Sequence, residues 1–242
     1  MRAEEARDLG RRLAECVRTS GPEDAYALLG PVLARRTPFA KLGLIGKAVG
    51  REPLDLVNPF LDRIAATGAE GGWVVIGAVL SQQLNRDLQG ALERCRAYVI
   101  ASGVWYGTDI LAERVPGPAL VTHFESALRS LLPWREDENV WVRRAVGVAV
   151  HFWAKRSRSA EELVPRARLL LRFLGPMFEE WEMPAVKGVG WGLKTLGRYY
   201  PDLLADWLTE EIVPSERHHR ALMLRKALAY LSESQRARVA AA

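Results

Sequence analysis

Apolar residues recur at helical spacing along nearly the whole chain, Gly and Pro interrupt them at short intervals, and strand signals are scarce. In the first segment Ala6, Leu9, Leu13, Ala14 and Val17 fall on one helix face. Pro22, Pro38, Pro53 and Pro201 stand where helices are expected to start, because the first turn has no use for the N–H that proline lacks. Thr37 before Pro38 reads as an N-cap. Ser159-Ala160-Glu161-Glu162 and Ser232-Glu233-Ser234-Gln235 read as capping boxes, in which Ser and Glu or Gln each satisfy an orphan backbone donor. Trp73 to Val79 is the best strand candidate, yet its pattern runs on into Leu80 and Leu84 at helical spacing. Helices are expected over 3–18, 23–35, 38–49, 54–66, 72–84, 87–101, 104–114, 118–132, 138–155, 161–175, 183–198, 202–212 and 216–230.

Antiparallel helix pairs recurring every ~35–50 residues are the pattern of HEAT-type repeats, which stack into a curved solenoid with a concave inner face. The expected fold is therefore all-α: a right-handed-type helical solenoid of HEAT-like antiparallel helix pairs with a basic concave face, one domain over residues 1–242. A chain of 242 residues, 49% hydrophobic and 26% charged, has ample length for a core and an ordinary soluble composition. It begins with charged residues instead of an apolar stretch, and no run approaches a membrane span, so a cytoplasmic protein with no membrane partner is expected.

Cys16 and Cys95 are far apart, and His123, His151, His218 and His219 pair with no cysteine or acid at ligand spacing, so neither a metal nor a disulfide framework is expected. The formal charge is +5. Of the 34 basic residues six are Lys and the rest Arg, whose planar fork suits phosphate. A GC-rich genome produces the same bias, so charge only inclines towards a polyanionic partner.

Three segments stand out. Val104-Trp105-Tyr106-Gly107-Thr108-Asp109 places Trp105 and Asp109 four apart, on one helix face. Asn139-Val140-Trp141-Val142-Arg143-Arg144 opens a helix on which Arg144 continues as a stripe to His151 and Lys155. Lys187, Trp191, Lys194 and Arg198 form a basic-aromatic stripe on a third. If these are the inner helices of consecutive repeats, phosphate contact comes from Arg143 or Arg144, Lys194 and Arg198, and the indoles face sugar or base. Each member has a plainer reading. A single Trp is more often core, Asp109 alone is an ordinary helix carboxylate, Arg143-Arg144 a solvated face, and His151 a satisfied side chain instead of a base.

Together, Trp-x3-Asp at 105–109, Trp-x-Arg-Arg at 141–144 with Trp134 upstream, and Lys-x3-Trp-x-Leu-Lys at 187–194 resemble the AlkD-like DNA alkylation-repair glycosylases, in that family's order and over roughly residues 73–200. The resemblance implies a HEAT-like solenoid holding duplex DNA in its concave cleft and excising N3- and N7-alkylated purines. It implies Asp109 as the catalytic carboxylate, Trp105 and Trp191 as the aromatic pair at the damaged nucleotide, and Arg144 and Lys194 as cleft cations. Arg143, Lys187, Arg198 and Lys155 extend the DNA-binding set. Lys194 stands where the family usually has Arg, Tyr106 where it often has an acid, and residues 1–70 show no match to its N-terminal motif. The expected protein is a monofunctional, cofactor-free DNA glycosylase of base excision repair, a monomer acting on duplex DNA with alkylated purines. Two readings stand beside it: a non-catalytic relative binding bent, branched or damaged DNA, and a HEAT-type scaffold for a protein partner.

Overall fold

The computed structural model describes residues 1–211 and 219–241, and every element among them is a helix. By its packing the chain divides into two compact units, Met1–Ala119 and Leu120–Ala242. The first holds α1 (Ala3–Thr19), α2 (Pro22–Leu33), α3 (Phe39–Val49), α4 (Leu54–Ala65), α5 (Glu70–Gln83), α6 (Leu88–Ser102) and α7 (Trp105–Ala112). Helix α8 (Pro116–Thr122) carries the chain into the second unit. There follow α9 (Phe124–Leu131), α10 (Val140–Ser157), α11 (Val164–Leu174), α12 (Met183–Tyr199), α13 (Pro201–Glu211), α14 (Arg220–Ala227) and α15 (Glu233–Ala240). Short 3-10 turns lead into α10, α11 and α12, and another follows α14.

Within the first unit the odd-numbered helices form one row, α1 on α3, α3 on α5 and α5 on α7, while α2, α4 and α6 form a second row behind. Helix α5 is the middle of this packing. It meets α3 and α7 along its own row and α4 and α6 behind, so Trp73, Val74, Val75, Ile76, Val79 and Leu80 are all buried. That enclosure is why its sequence shows no polar face and resembles a strand. Helix α1 lies at the end of the row and keeps the one-sided pattern, burying Ala6, Leu13, Ala14 and Val17. Each fully buried Leu, Ile or Phe of this core contributes about 1.5–3 kcal/mol. The second unit repeats the scheme: α10, α12 and α14 form one row, and α11 packs on α13 and α13 on α15 in the other.

Three local expectations need correction. The predicted helix 118–132 is two helices, because His123 (φ −133°, ψ 48°) leaves the helical region between α8 and α9. Thr37 does not cap α3. Its hydroxyl donates back to the Val32 carbonyl (2.9 Å), and Pro38 occupies the N-cap position. The Ser159 box is absent, since Arg158 and Ser159 both take left-handed backbone (φ 49° and 64°) and Ala160 precedes the next turn. The Ser232 box forms, with the Ser232 hydroxyl accepting from Gln235 N–H and the Gln235 side chain returning to Ser232 N–H. Residues 212 and 216–218 of the expected helices, His218 among them, lie outside the described residues. No described helix is long and apolar enough to cross a membrane.

Candidate functional site

In the first unit, α6 ends at Gly103 in the left-handed region (φ 56°), a conformation that glycine adopts without steric cost. Val104 is extended, and α7 starts at once with Trp105. The indole is therefore on the first turn of a helix with little ahead of it, and it is 58% exposed. Burial is where a tryptophan normally gains its stabilisation, so this one is not a core residue. Among the described residues its ring meets the edge of Tyr106, 5.8 Å away at 86°. Asp109 follows one turn later on the same side, half-buried. Behind them α7 is held close by Gly107, where an added Cβ would fall 2.7 Å from the Ser102 Cβ and 3.3 Å from the Trp73 indole nitrogen.

In the second unit the geometry is set by the crossing of α10 and α12. A Cβ on Gly147 would fall 2.2 Å from the Gly188 carbonyl carbon, and one on Gly188 would fall 2.5 Å from the Arg144 carbonyl oxygen. The two backbones touch here, as only glycines allow. Arg144 is held across this crossing, donating from Nη1 to the Pro184 carbonyl (3.0 Å) in the first turn of α12.

Arg143, the next residue round the helix, is committed differently. Its Nε donates to Glu180 Oε2 (2.7 Å), its Nη1 to the carbonyls of Asp137 (2.6 Å) and Glu138 (3.2 Å), and its Nη2 pairs with Glu182. Glu180 also accepts from the N–H groups of Trp181 and Glu182. This buried, saturated pair fastens the start of α10 to the turn ahead of α12, so Arg143, expected as a phosphate contact, has its guanidinium engaged within the fold.

The α12 stripe lies as the spacing predicts. Trp191 is half-buried with its indole stacked on the His151 imidazole of α10, centroids 3.8 Å apart and planes at 24°. The Lys194 ammonium (5.3 Å) and the Arg198 guanidinium (5.5 Å) both lie over the Tyr230 ring, which attracts them through its π face. His151, Lys155, Trp191, Lys194, Thr195, Arg198, Tyr199 and Tyr230 line a pocket of about 210 Å³, and none of these described residues is acidic.

Lys226 of α14 completes a cationic cluster that the sequence reading did not include. Its stem runs over Gly190, where a Cβ would come 2.4 Å from the Lys226 Cδ. Burial holds its ammonium below the usual lysine range, reinforced by the positive charges of Lys194, Lys187, Arg144 and Arg225. Gathering like charges in partly dry surroundings costs free energy, and an anion recovers it. A Lys-x3-Tyr spacing over Lys226 and Tyr230 was the available signal, but nothing local ties it to Lys194. His151 is the mirror case. Burial, helped by the Lys155 charge, pushes its pKa down to about 4, so the imidazole is neutral.

Trp105 and Asp109 are thus brought together in the first unit, and Arg144, Lys187, Trp191, Lys194 and Lys226 in the second, with Lys155 and Arg198 at the adjoining pocket. In comparisons with known proteins, the family described as DNA alkylation repair enzyme matches residues 73–231, a span that runs from α5 to the turn after α14 and holds both groups. No curated protein matches the chain.

Proposed function

The chain belongs to the family of DNA alkylation repair enzymes, and from that premise we propose that it is a DNA glycosylase of base excision repair, hydrolysing the N-glycosidic bond of cationic N3- and N7-alkylated purines such as 7-methylguanine and 3-methyladenine. The two-row packing within each unit supports HEAT-like helix pairs of a solenoid, and we assign the α10–α12–α14 row to its DNA-facing side. The observation that carries the DNA reading is the cation cluster Arg144, Lys187, Lys194 and Lys226, where burial and then the neighbouring positive charges hold the Lys226 ammonium below the usual lysine range. Phosphate is its natural counter-charge. Lys155 and Arg198 extend the same contact from the neighbouring pocket.

The chemistry asks little of the protein. Alkylation at N3 or N7 makes the purine a cation, so the C1′–N bond breaks towards a neutral leaving base and leaves positive charge on the sugar. A carboxylate held beside that sugar stabilises the charge and can take the proton of the attacking water. Asp109 is assigned this role. We assign the Trp105 and Trp191 indoles each to nucleotide contact, where a π face attracts polarised C–H groups at about 0.5–2 kcal/mol per contact. No metal or bound cofactor enters these steps. The protein acts as a monomer on duplex DNA.

Because lesion charge drives bond cleavage, 7-methylguanine should be released far faster than neutral uracil from otherwise identical duplexes. Equal release of the two would sink the mechanism. DNA binding with steep salt dependence and no release of either base would select the non-catalytic DNA-binding reading.

A further inference from the structure

His151 is not among the residues assigned to DNA contact, yet its ring is held on two sides beside Trp191. It is buried, its ring is stacked on the indole at 3.8 Å, and its Nδ1 lies 2.7 Å from the Thr195 hydroxyl. Thr195 in turn donates to the Trp191 carbonyl one turn earlier on α12 (2.9 Å). With the hydroxyl proton on the Trp191 carbonyl, Thr195 accepts from an N–H at His151 Nδ1. Ring stack and hydrogen bond together form a closed loop through His151, Thr195 and Trp191, holding one residue of α10 against two of α12.

We infer that His151 is a positioning residue for Trp191, covering one face of the indole and locking its rotamer so that the remainder of the ring is presented to the damaged nucleotide. The inference rests on the assignment of Trp191 to DNA contact. A half-buried indole on a helix surface otherwise has several rotamers open to it, and a contact aimed at a reacting sugar is sensitive to displacements well under the width of the ring. Neutrality matters as much as shape. An imidazolium at this place would offer the indole a permanent cation and repel the cationic lesion, and burial together with Lys155 keeps the ring uncharged.

The test is a double-mutant cycle on the intact chain, with duplex DNA carrying 7-methylguanine as the probe, read both as single-turnover base release and as DNA affinity. His151→Ala should slow release roughly ten- to a hundredfold. His151→Phe keeps a stacked ring without the hydrogen bond and should recover most of that loss. His151→Ala placed on Trp191→Ala should add almost nothing to the loss from Trp191→Ala alone. Release by His151→Ala at the wild-type rate, or losses that multiply in the double variant, would overturn the inference. If the wild type itself releases no base while Asp109→Asn binds DNA as tightly as wild type, the glycosylase reading fails. The same cycle in affinity then decides the positioning role, with coupled losses supporting it and multiplying losses overturning it. A thermal midpoint alike in His151→Ala and His151→Phe, with release restored only by Phe, separates positioning from simple loss of stability.

Discussion

Trp105 and Asp109 share a helix face, and at 58% exposure the Trp105 indole is not part of the core. Their i, i+4 relation was legible from spacing alone, because α7 is regular from its first residue. The division between Arg143 and Arg144 was not legible. Adjacent residues differ by about 100° around a helix, and only the fold reveals that Glu180 and Glu182 wait for Arg143 while Arg144 turns towards α12. His151 yields a pH prediction at this scale. Its folded pKa is lowered to about 4 from an ordinary 6.5, so between those values the unfolded chain binds a proton that the folded chain refuses. Stability should therefore fall as the pH drops from about 6.5 towards 4 and be unaffected by this group above it. Thermal midpoints across that range should decline more steeply for wild type than for His151→Phe, and parallel curves would mean that the imidazole does not resist protonation.

Most helices could be read from the sequence because amphipathic faces repeat with the helical period, as in α1. Where two helices are joined by a single non-helical residue, as at His123, that period carries straight through the break. The Thr37 and Ser159 readings fail on geometry that spacing does not carry, a hydroxyl turned back to Val32 in one and left-handed backbone in the other. A hydroxyl near a helix start has several backbone partners within reach, and local dihedrals choose among them. What no local pattern reveals is the α10–α12 crossing, which depends on Gly147 and Gly188 meeting backbone to backbone. That contact places the Trp191 stripe beside His151, so it is the element-level determinant of the site. Gly188→Ala puts a methyl group 2.5 Å from a carbonyl oxygen that cannot move independently of α10. The expected cost is about 1–3 kcal/mol of stability, measured by denaturant unfolding, with weaker DNA binding in the protein that still folds. An unchanged midpoint would mean that the helices separate freely and that the crossing does not set the site.

Over the whole chain, a formal charge of +5 is modest, and composition alone only inclines towards a nucleic-acid partner. The distribution is more informative, since Arg144, Lys187, Lys194 and Lys226 converge from three helices of one row. The first three were legible as stripes on separate helices. Lys226 was not, because its membership follows from which helices share a row. Each cation that neutralises a phosphate displaces condensed counterions, so Arg144→Ala and Lys194→Ala should each weaken DNA binding and lower the slope of log affinity against log salt by about one. Slopes equal to wild type would remove those residues from the DNA face. The family membership, the exposed indole beside Asp109 and this cluster meet in one claim: that Asp109 drives hydrolytic release of alkylated purines. The most direct test is chromatography of the bases freed from methylated duplex DNA by wild type and by Asp109→Asn. Release of 7-methylguanine or 3-methyladenine by wild type, reduced about 10²–10⁴-fold in the variant with DNA binding retained or improved, is the predicted result. Equal release by the two proteins, or binding by both with release by neither, would contradict it.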